Sequence, residues 1–538
     1  MNALATRPAL LPLILFAMLS ACSRSPETPV KTLAAASPPA AVTQPAGRAP
    51  AAASAADAVA WYPGTVEGAF AEAKKTGKPV FLFWGAAWCP YCAQVKATVF
   101  NRADFAERAR AFVPVYLDGD SHDAQKLAEH FRVRGYPTML LLKPDGTELT
   151  RLPGEVDAER YMQVLALGMG ADRPIRETLD AALKGETLPS GDWQRLAYYA
   201  FDTDEASLIP SDKLSEVLAA LAGRCPKSEG ALSTRLALRS LIASLDAPSP
   251  AKLDKPALRR QLGTVLADPA EAREMFDLIV NAPDKQIAAL TDTKSSERKT
   301  LATAWDKVLA TLAADAGLST TDRLDALDGR VAIAHLATPD KLPPALVETL
   351  RDAVAEADRD TTNPFERQSV IYTAAGTLTD ARLLDDSDAL LKAELPHSHT
   401  PYYFMRMLGT NAKLRGDAAG ALDWYAQAWK ASEGGATRLQ WGTGYLNGLL
   451  ELAPADEARI EEVGAAVFGE AAKLNDAYAE RNRAALERTA GKLNTWNRDD
   501  AHSASFERLA TRFSAVCGKL PAGDPQRTAC DGLLKRKS

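Results

Sequence analysis

The chain has 538 residues, which at roughly 150 residues per domain corresponds to several domains rather than one hydrophobic core. Hydrophobic residues make up 46% of it and charged residues 25%, a composition that argues against wholesale disorder and against a polytopic membrane protein. The formal net charge of −6 argues against a general nucleic-acid-binding protein. Six cysteines are too few for a disulfide-stapled scaffold, so each is expected to act at a specific place.

The start of the chain has the features of a secretory leader. A basic residue precedes the apolar run 9–19, which is too short to span a bilayer. The run ends in the sequence LSAC at residues 19–22, which resembles the lipobox of bacterial lipoproteins. That resemblance implies a signal peptide at 1–21 and acylation of Cys22, which anchors the protein to a membrane, and Ser23 favours the outer membrane. Cleavage by the ordinary signal peptidase, without lipidation, is the alternative.

Residues 22–57 are predicted to form a tether between the membrane and the globular part. Alanine dominates this segment, and Pro38, Pro39, Pro45 and Pro50 interrupt any helix that alanine favours. The segment has no apolar periodicity and cannot bury enough surface to offset its ordering entropy.

A cysteine pair follows the first predicted helix and strand. Residues 65–75 have helical spacing, and the apolar run 80–84 predicts a buried strand. The sequence WCPYC at residues 88–92 comes where this strand ends and another helix begins. The free N–H groups of a helix start favour a thiolate, which predicts that Cys89 is the nucleophile. Cys92, one turn deeper, is placed to resolve a mixed disulfide.

The alternation of strands and helices continues beyond the pair. Residues 112–117 predict a strand and residues 123–131 an amphipathic helix. The sequence GYPT at 135–138 opens a further strand, and the turn KPDG at 143–146 leads into the next one.

The two motifs, WCPYC and GYPT, resemble those of the thioredoxin-fold family. The resemblance covers residues 61–168 and is closest to the branch that includes the C-terminal domain of the periplasmic electron-transfer protein DsbD. It implies a thioredoxin-fold domain at 58–172 whose Cys89 and Cys92 are catalytic. It also implies that Pro137 is cis and lies against the pair, and that the backbone of Tyr136 binds an incoming peptide.

The resemblance implies further residues that line the site: Trp88, Pro90 and Tyr91. One position departs from the thioredoxins proper, because Phe83 replaces the buried aspartate that assists proton transfer at the resolving cysteine. Glu129, Asp118, Asp120 and water are then the candidates for handling the proton.

A zinc site and a structural disulfide are the alternative uses of the cysteine pair. The remaining cysteines offer no second closely spaced pair, and His397 and His399 stand in a different pattern far along the chain, so no metal is predicted. No cofactor is predicted either.

Residues 173–538 are predicted to be entirely helical. Amphipathic segments recur between clusters of proline, glycine and aspartate, at 211–222, 231–245, 298–314, 346–357 and 365–377. Small and aromatic residues within 402–435, including Gly409 and Tyr425, resemble one tetratricopeptide repeat. The expected fold class is therefore an α/β thioredoxin-fold domain followed by a large all-α region of solenoid-like helical hairpins. Such a region serves either as a partner-binding surface or as a packing scaffold.

Three cysteines lie in the helical part. Cys517 and Cys530 flank a predicted turn between the last two helices and are predicted to form a structural disulfide in an oxidising compartment. Cys225 has no obvious partner and is expected to be buried.

The sequence predicts a membrane-anchored thiol:disulfide oxidoreductase of reductase or isomerase type. It would lie on the periplasmic face of a Gram-negative-type envelope, with protein thiols and disulfides as substrates, a membrane electron donor of DsbD type and no nucleic-acid partner. The alternative is an interaction or scaffold lipoprotein that uses the thioredoxin-like domain for docking.

Overall fold

The computed structural model describes residues 59–534 except 134, 155, 205, 246, 248, 249 and 340. The predicted signal peptide at 1–21, the lipidation residue Cys22 and the tether at 22–57 lie outside the described residues. Within the described part of the chain, no helix combines the length and the apolar character that crossing a membrane requires.

The first part of the described chain is a four-stranded sheet flanked by helices, referred to below as the α/β domain. Its elements are α1 (Val66–Thr76), β1 (Val80–Gly85), α2 (Pro90–Val95), α3 (Ala103–Ala109), β2 (Val113–Asp118), α4 (His122–His130), β3 (Thr138–Leu142), β4 (Glu148–Leu152) and α5 (Ala158–Met169). A π-helical turn, Lys96–Phe100, continues α2. The strand order is β2-β1-β3-β4, with β2 parallel to β1, and β3 antiparallel to both β1 and β4.

Local sequence features set the ends of these elements. The Thr65 side chain caps α1 by accepting a hydrogen bond from the Gly68 amide, and Gly77 ends α1 in the left-handed conformation at φ 71°. The Ser121 side chain caps α4 in the same way as Thr65 caps α1. Every residue of β1 is buried because this central strand has packed layers on both faces.

The two faces of the sheet belong to different hydrophobic layers. Leu82 and Trp84 of β1 pack in the layer that contains α1 and α4. Phe81 and Phe83, which point to the other face, pack in a layer that includes α3 and α5. This second layer extends without a break into helices beyond the α/β domain, so the two parts of the protein share a core.

The rest of the described chain is the helical region, 175–533. Its first ten α-helices among the described residues are α6 (Ile175–Lys184), α7 (Ser190–Ala197), α8 (Leu214–Arg224), α9 (Gly230–Leu245), α10 (Lys255–Ala267), α11 (Pro269–Glu274), α12 (Phe276–Ile279), α13 (Pro283–Leu290), α14 (Ser296–Ala313) and α15 (Thr320–Ala337). The remaining ten in that part are α16 (Pro344–Asp360), α17 (Pro364–Asp380), α18 (Leu384–Glu394), α19 (Pro401–Leu414), α20 (Ala418–Ala431), α21 (Gly435–Leu452), α22 (Glu457–Ala471), α23 (Glu480–Trp496), α24 (Ser503–Cys517) and α25 (Pro525–Leu533). Short 3₁₀ helices lie at Lys227–Glu229 and Arg498–Asp500.

The predicted fold class, an α/β domain followed by an all-helical region, is confirmed. Within the segment that resembles a tetratricopeptide repeat, α19 and α20 are consecutive helices joined by a three-residue turn at 415–417, and Gly409 of α19 lies against the ring of Tyr425 in α20. The assignment of this segment to a repeat family remains a prediction.

Buried arginines join the helical region to the sheet. Arg195 of α7 donates a hydrogen bond of 2.8 Å to the carbonyl oxygen of Leu149 in β4. Arg151 of β4 donates to the carbonyl oxygens of Phe131 and Thr203, at 2.8 and 2.5 Å. A buried charge that loses its partners costs several kcal/mol, so these hydrogen bonds fix the helical region at the edge of the sheet.

The cysteines of the helical region differ in their surroundings. A disulfide bond joins Cys517 of α24 to Cys530 of α25, whose Cα atoms are 5.6 Å apart. Cys225 follows α8 as a free, buried thiol, and burial raises its pKa to about 11.

Candidate redox site

A disulfide bond lies at the junction between β1 and α2. It joins Cys89 and Cys92, whose Cα atoms are 5.2 Å apart. Cys89 is the N-cap residue of α2, and its Sγ accepts a hydrogen bond of 3.1 Å from the Cys92 amide. Pro90 occupies the first turn of the helix, where a missing N–H costs nothing. The helix N-terminus therefore stabilises negative charge at Cys89 once the disulfide is reduced.

The loop before β3 lies against this disulfide. The Tyr136–Pro137 peptide bond is cis, and the carbonyl oxygen of Tyr136 is 3.6 Å from Cys89 Sγ. The resemblance to thioredoxin-fold proteins implied the cis bond and a Pro137 loop that lies against the cysteine pair. A polypeptide backbone that pairs with this loop would bring its sulfur close to Cys89.

The side chain of Tyr136 fills the space between this loop and the loop that follows β2. Its hydroxyl donates a hydrogen bond of 2.7 Å to the Gly119 carbonyl oxygen and accepts one of 2.9 Å from Gln125 Nε2. Burial raises the pKa of Tyr136 to about 12. A Cβ atom on Gly119 would lie 2.5 Å from the Tyr136 hydroxyl oxygen, so this close approach requires glycine at position 119.

An aromatic cluster occupies the position where thioredoxins carry a buried aspartate. Phe83 packs against Phe100 and Tyr116, with ring centroids 4.9 and 5.5 Å away. The Lys96 ammonium lies over the same cluster, 4.6 Å from the Tyr116 centroid. Burial lowers the pKa of Lys96, and the negative charge of Asp118 partly offsets this effect. Sequence reasoning missed Lys96, although its position one helical turn after Cys92 was the available signal.

Helices from the far end of the chain cover Trp88, the residue before the pair. The Trp88 indole stacks on Tyr403 of α19 with an interplanar angle of 16° and a centroid distance of 6.0 Å. Trp441 of α21 meets it edge-on, also at 6.0 Å. The Arg481 guanidinium of α23 lies 4.5 Å from the Trp88 centroid, a cation–π contact.

Asp120 connects the α/β domain to the same helices. Its Oδ2 accepts hydrogen bonds of 2.6 Å from Trp88 Nε1 and of 2.6 Å from the Thr437 hydroxyl of α21. Its Oδ1 forms an ion pair with Arg481 of α23, with an N···O distance of 3.3 Å. One carboxylate therefore holds Trp88 and two helices of the helical region together.

Further contacts extend this interface along α2. Tyr91 meets Tyr372 of α17 with centroids 6.2 Å apart, and Gln94 Nε2 donates a hydrogen bond of 3.2 Å to Asp322 Oδ1 of α15. Cys89 is 2% exposed and Cys92 is fully buried, whereas Tyr91 between them is 46% exposed. Access to the disulfide is thus restricted on the face that the helical region covers.

The carboxylates suggested for proton transfer have different surroundings. Asp118 and Glu129 are exposed, while Asp120 is half-buried and bound to Trp88, Thr437 and Arg481. Their roles in proton transfer remain a prediction. No group of three or more potential metal-ligating side chains occurs among the described residues.

Residues 66–168 match a family described as a thioredoxin-like domain. The chain contains a thioredoxin-like domain. This domain supports thiol–disulfide redox chemistry at Cys89 and Cys92, because the matched segment includes the disulfide at the start of α2.

Curated relatives resemble the same part of the chain. The thiol:disulfide interchange protein DsbD of Pseudomonas fluorescens is 34% identical over 105 residues, which cover 19% of this chain and 18% of that protein. DsbD 1 of Pseudomonas aeruginosa is 34% identical over 100 residues, 18% of this chain and 17% of that protein. Thioredoxin H-type of Oryza sativa subsp. indica is 34% identical over 84 residues, 15% of this chain and 63% of that protein. The chain therefore spans less than a fifth of the length of these DsbD proteins.

A solved structure titled DsbH Oxidoreductase aligns with 23% of this chain and 94% of its own. The sequence identity is 18% and the TM-score is 0.20.

Proposed function

We propose that the protein is a thiol:disulfide oxidoreductase of reductase or isomerase type, with Cys89 as nucleophile and Cys92 as resolving cysteine. The observation that carries the proposal is the position of Cys89. Its sulfur caps α2, forms a disulfide with Cys92 and lies 3.6 Å from the Tyr136 carbonyl oxygen. Trp88, Pro90, Tyr91, Tyr136 and Pro137 are proposed to line the site.

In the reductive direction the reaction begins with the reduced pair. The Cys89 thiolate attacks one sulfur of a client disulfide, the client S–S bond breaks, and the departing client thiolate takes up a proton. Cys92 then loses its proton and attacks Cys89 Sγ in the mixed disulfide. The Cys89–Cys92 bond forms, the second client thiolate leaves, and two electrons have passed from the protein to the client.

The surroundings of this reaction are proposed from the sequence. A lipid on Cys22 would hold the thioredoxin-like domain on the periplasmic face of the envelope, on the outer membrane, through the tether at 22–57. An electron donor of DsbD type would re-reduce the pair in that compartment, and the similarity to DsbD proteins supports this choice. The helical region, including the repeat-like segment at 402–435, would then present the client.

Replacing the resolving cysteine tests the catalytic proposal. The full chain is assayed for reduction of insulin disulfides with a coupled reductant, and the assay is repeated with Cys92→Ser. We expect turnover to disappear and mixed disulfides through Cys89 to accumulate, because the second thiol that releases the client is missing. Cys225→Ser, which removes a buried thiol outside the site, is the matched control and should retain activity. Full activity of Cys92→Ser would refute the assignment.

The interface over Trp88 favours a second candidate function, an interaction protein that uses the thioredoxin-like domain for docking. Stacking of Trp88 on Tyr403 and the three bonds to Asp120 bind this face to helices of the same chain, so the thioredoxin-like domain already serves there as a docking module for helices. Under this proposal a double Cys89→Ser/Cys92→Ser variant complements a deletion strain fully. Loss of complementation together with loss of insulin reduction supports the oxidoreductase.

A further inference from the structure

A cavity beside Trp88 has no role in the chemistry described above. It has a volume of about 650 Å³, and residues of α19, α21 and α23 line it. This volume lies within the ~300–1,000 Å³ range of typical ligand pockets. Gly444 of α21 is exposed there, and a Cβ atom on it would meet nothing within 4 Å. Asn447, also in the lining, has a buried Oδ1 without a hydrogen-bond partner.

Positive charge dominates the lining. The charged side chains that line the cavity are Arg406, Lys413, Arg481, Arg488 and Lys492, against one carboxylate, Glu451. Lys413 and Lys492 both lie near Glu451, at N···O distances of 2.6 and 3.9 Å, and Arg481 pairs with Asp120. Of the ion pairs between described residues, none involves Arg406 or Arg488. Two guanidinium groups at this cavity are therefore available to an anionic ligand.

The local charge is opposite in sign to that of the whole protein. The chain carries a formal net charge of −6, so it attracts cations in general and repels acidic partners. A cationic cavity on such a chain selects its occupant by local complementarity. Guanidinium groups bind carboxylates through paired hydrogen bonds, and in an unmodified polypeptide the side chains that offer carboxylates are those of aspartate and glutamate.

The cavity borders the redox site through Trp88. Trp88 lines it and directly precedes Cys89 in the chain. Tyr403 and Arg481, which contact the Trp88 indole, line it as well. The cavity and the redox site thus share Trp88, and a client segment held in the cavity lies next to the loop that carries Cys89.

We propose that this cavity binds an acidic segment of the client polypeptide next to the disulfide that Cys89 attacks. This inference rests on the proposed function, because it specifies which client polypeptides the oxidoreductase would prefer. The helical region thus adds a charge preference to the thioredoxin-like domain, in that clients with aspartate or glutamate near their cysteines bind more tightly.

Binding of short labelled peptides tests this proposal. Fluorescence anisotropy is measured with the full chain and three cysteine-free peptides of equal length, rich in glutamate, glutamine or lysine. The glutamate peptide should bind at least about tenfold more tightly than the other two peptides, and its affinity should fall as the salt concentration is raised. Equal binding of the glutamate and glutamine peptides overturns the proposal.

Variants locate the site. Arg406→Glu/Arg488→Glu should weaken binding of the glutamate peptide by about tenfold or more, and Gly444→Leu should weaken it by filling the open space. The matched control is Lys285→Glu/Lys299→Glu, which changes the charge equally at two exposed positions outside the cavity and should stay within about twofold of the wild type. An equal loss in the cavity and control variants overturns the proposal.

The peptides contain no sulfur, so this measurement does not depend on redox activity. Binding that follows the expected pattern while Cys92→Ser retains full insulin reduction would refute the proposed function and leave the acidic-peptide site in place. Loss of insulin reduction in Cys92→Ser without selective binding of the glutamate peptide would refute only the site.

Discussion

The carboxyl group of Asp328 in α15 illustrates how the fold changes the chemistry of one residue. Its Oδ1 is shielded from solvent and has no hydrogen-bond partner. Burial, together with the negative charges of Asp380 and Asp284, raises its pKa to about 7. The folded protein therefore binds a proton that the unfolded chain releases near pH 4. The stability that this proton contributes is present at low pH and is lost as the pH rises through about 7.

Asp328→Asn removes this titration. The free energy of unfolding of the variant minus that of the wild type should be roughly 2–3 kcal/mol larger at pH 8 than at pH 5. The reason is that only the wild type must bury a negative charge at the higher pH. Denaturant titrations at both pH values measure the difference. Asp352→Asn, at an exposed position of α16, is the control and should show no such increase. Parallel pH profiles for the two variants would contradict the assignment.

The packing of helices α19, α20 and α21 depends on a single aromatic ring, that of Tyr425. The Tyr425 ring of α20 lies between Gly409 of α19 and Gly448 of α21. A Cβ atom on Gly409 would be 2.6 Å from Cδ1 of the ring, and one on Gly448 would be 2.9 Å from Cδ2. Because both sides of the ring are occupied, it cannot move away from one added methyl group without meeting the other helix.

Gly448→Ala should therefore destabilise the helical region. Overpacking of this kind costs about 1–3 kcal/mol, which exceeds the gain of about 1 kcal/mol or less from replacing glycine with alanine in a helix. Gly444→Ala, one turn earlier in α21, has open space at its Cβ position and should be neutral or stabilising. The midpoints of thermal unfolding of the two variants are compared with that of the wild type. A decrease in the midpoint for Gly444→Ala that equals or exceeds the decrease for Gly448→Ala would argue against steric packing at Tyr425.

At the scale of the whole molecule, the helical region limits access to the cysteine pair. Thr437 and Arg481 reach Asp120 across more than 300 residues of sequence, and the Asp120 carboxylate in turn binds the Trp88 indole. The cost of exposing Cys89 then includes the loss of these contacts. The rate at which Cys89 reacts should accordingly depend on residues that never touch it.

Thr437→Val tests this dependence without changing any residue of the thioredoxin-like domain. The hydrogen bond from Thr437 to Asp120 stabilises the covered state of Cys89 by about 1 kcal/mol, and the variant lacks it. Iodoacetamide should therefore alkylate Cys89 of the pre-reduced variant several-fold faster than Cys89 of the wild type. Asp120→Ala, which removes all three bonds, should have a larger effect. Asp386→Ala, which removes an ion pair with Arg351 inside the helical region, is the control. Equal alkylation rates in the wild type and the three variants would show that the contacts around Asp120 do not govern access to Cys89.

Much of the thioredoxin-like domain follows from local patterns. The predicted strand at 80–84 and helix at 65–75 are present as β1 and α1 within a residue or two, since a buried run and a helical period are short-range signals. The sequence did not indicate that Lys96 lies over the Phe83 cluster, because that contact combines helix geometry with the packing of a neighbouring strand.

The amino-acid sequence predicts an α/β domain with a cysteine pair at a helix start, followed by helices, because strand and helix periods and the WCPYC and GYPT motifs involve residues close together in the chain. That α19, α21 and α23 cover Trp88 and line a cationic cavity beside it is seen only in the folded chain. Such contacts join residues more than 300 positions apart, and no periodicity or spacing along a single chain encodes which distant helix faces will meet.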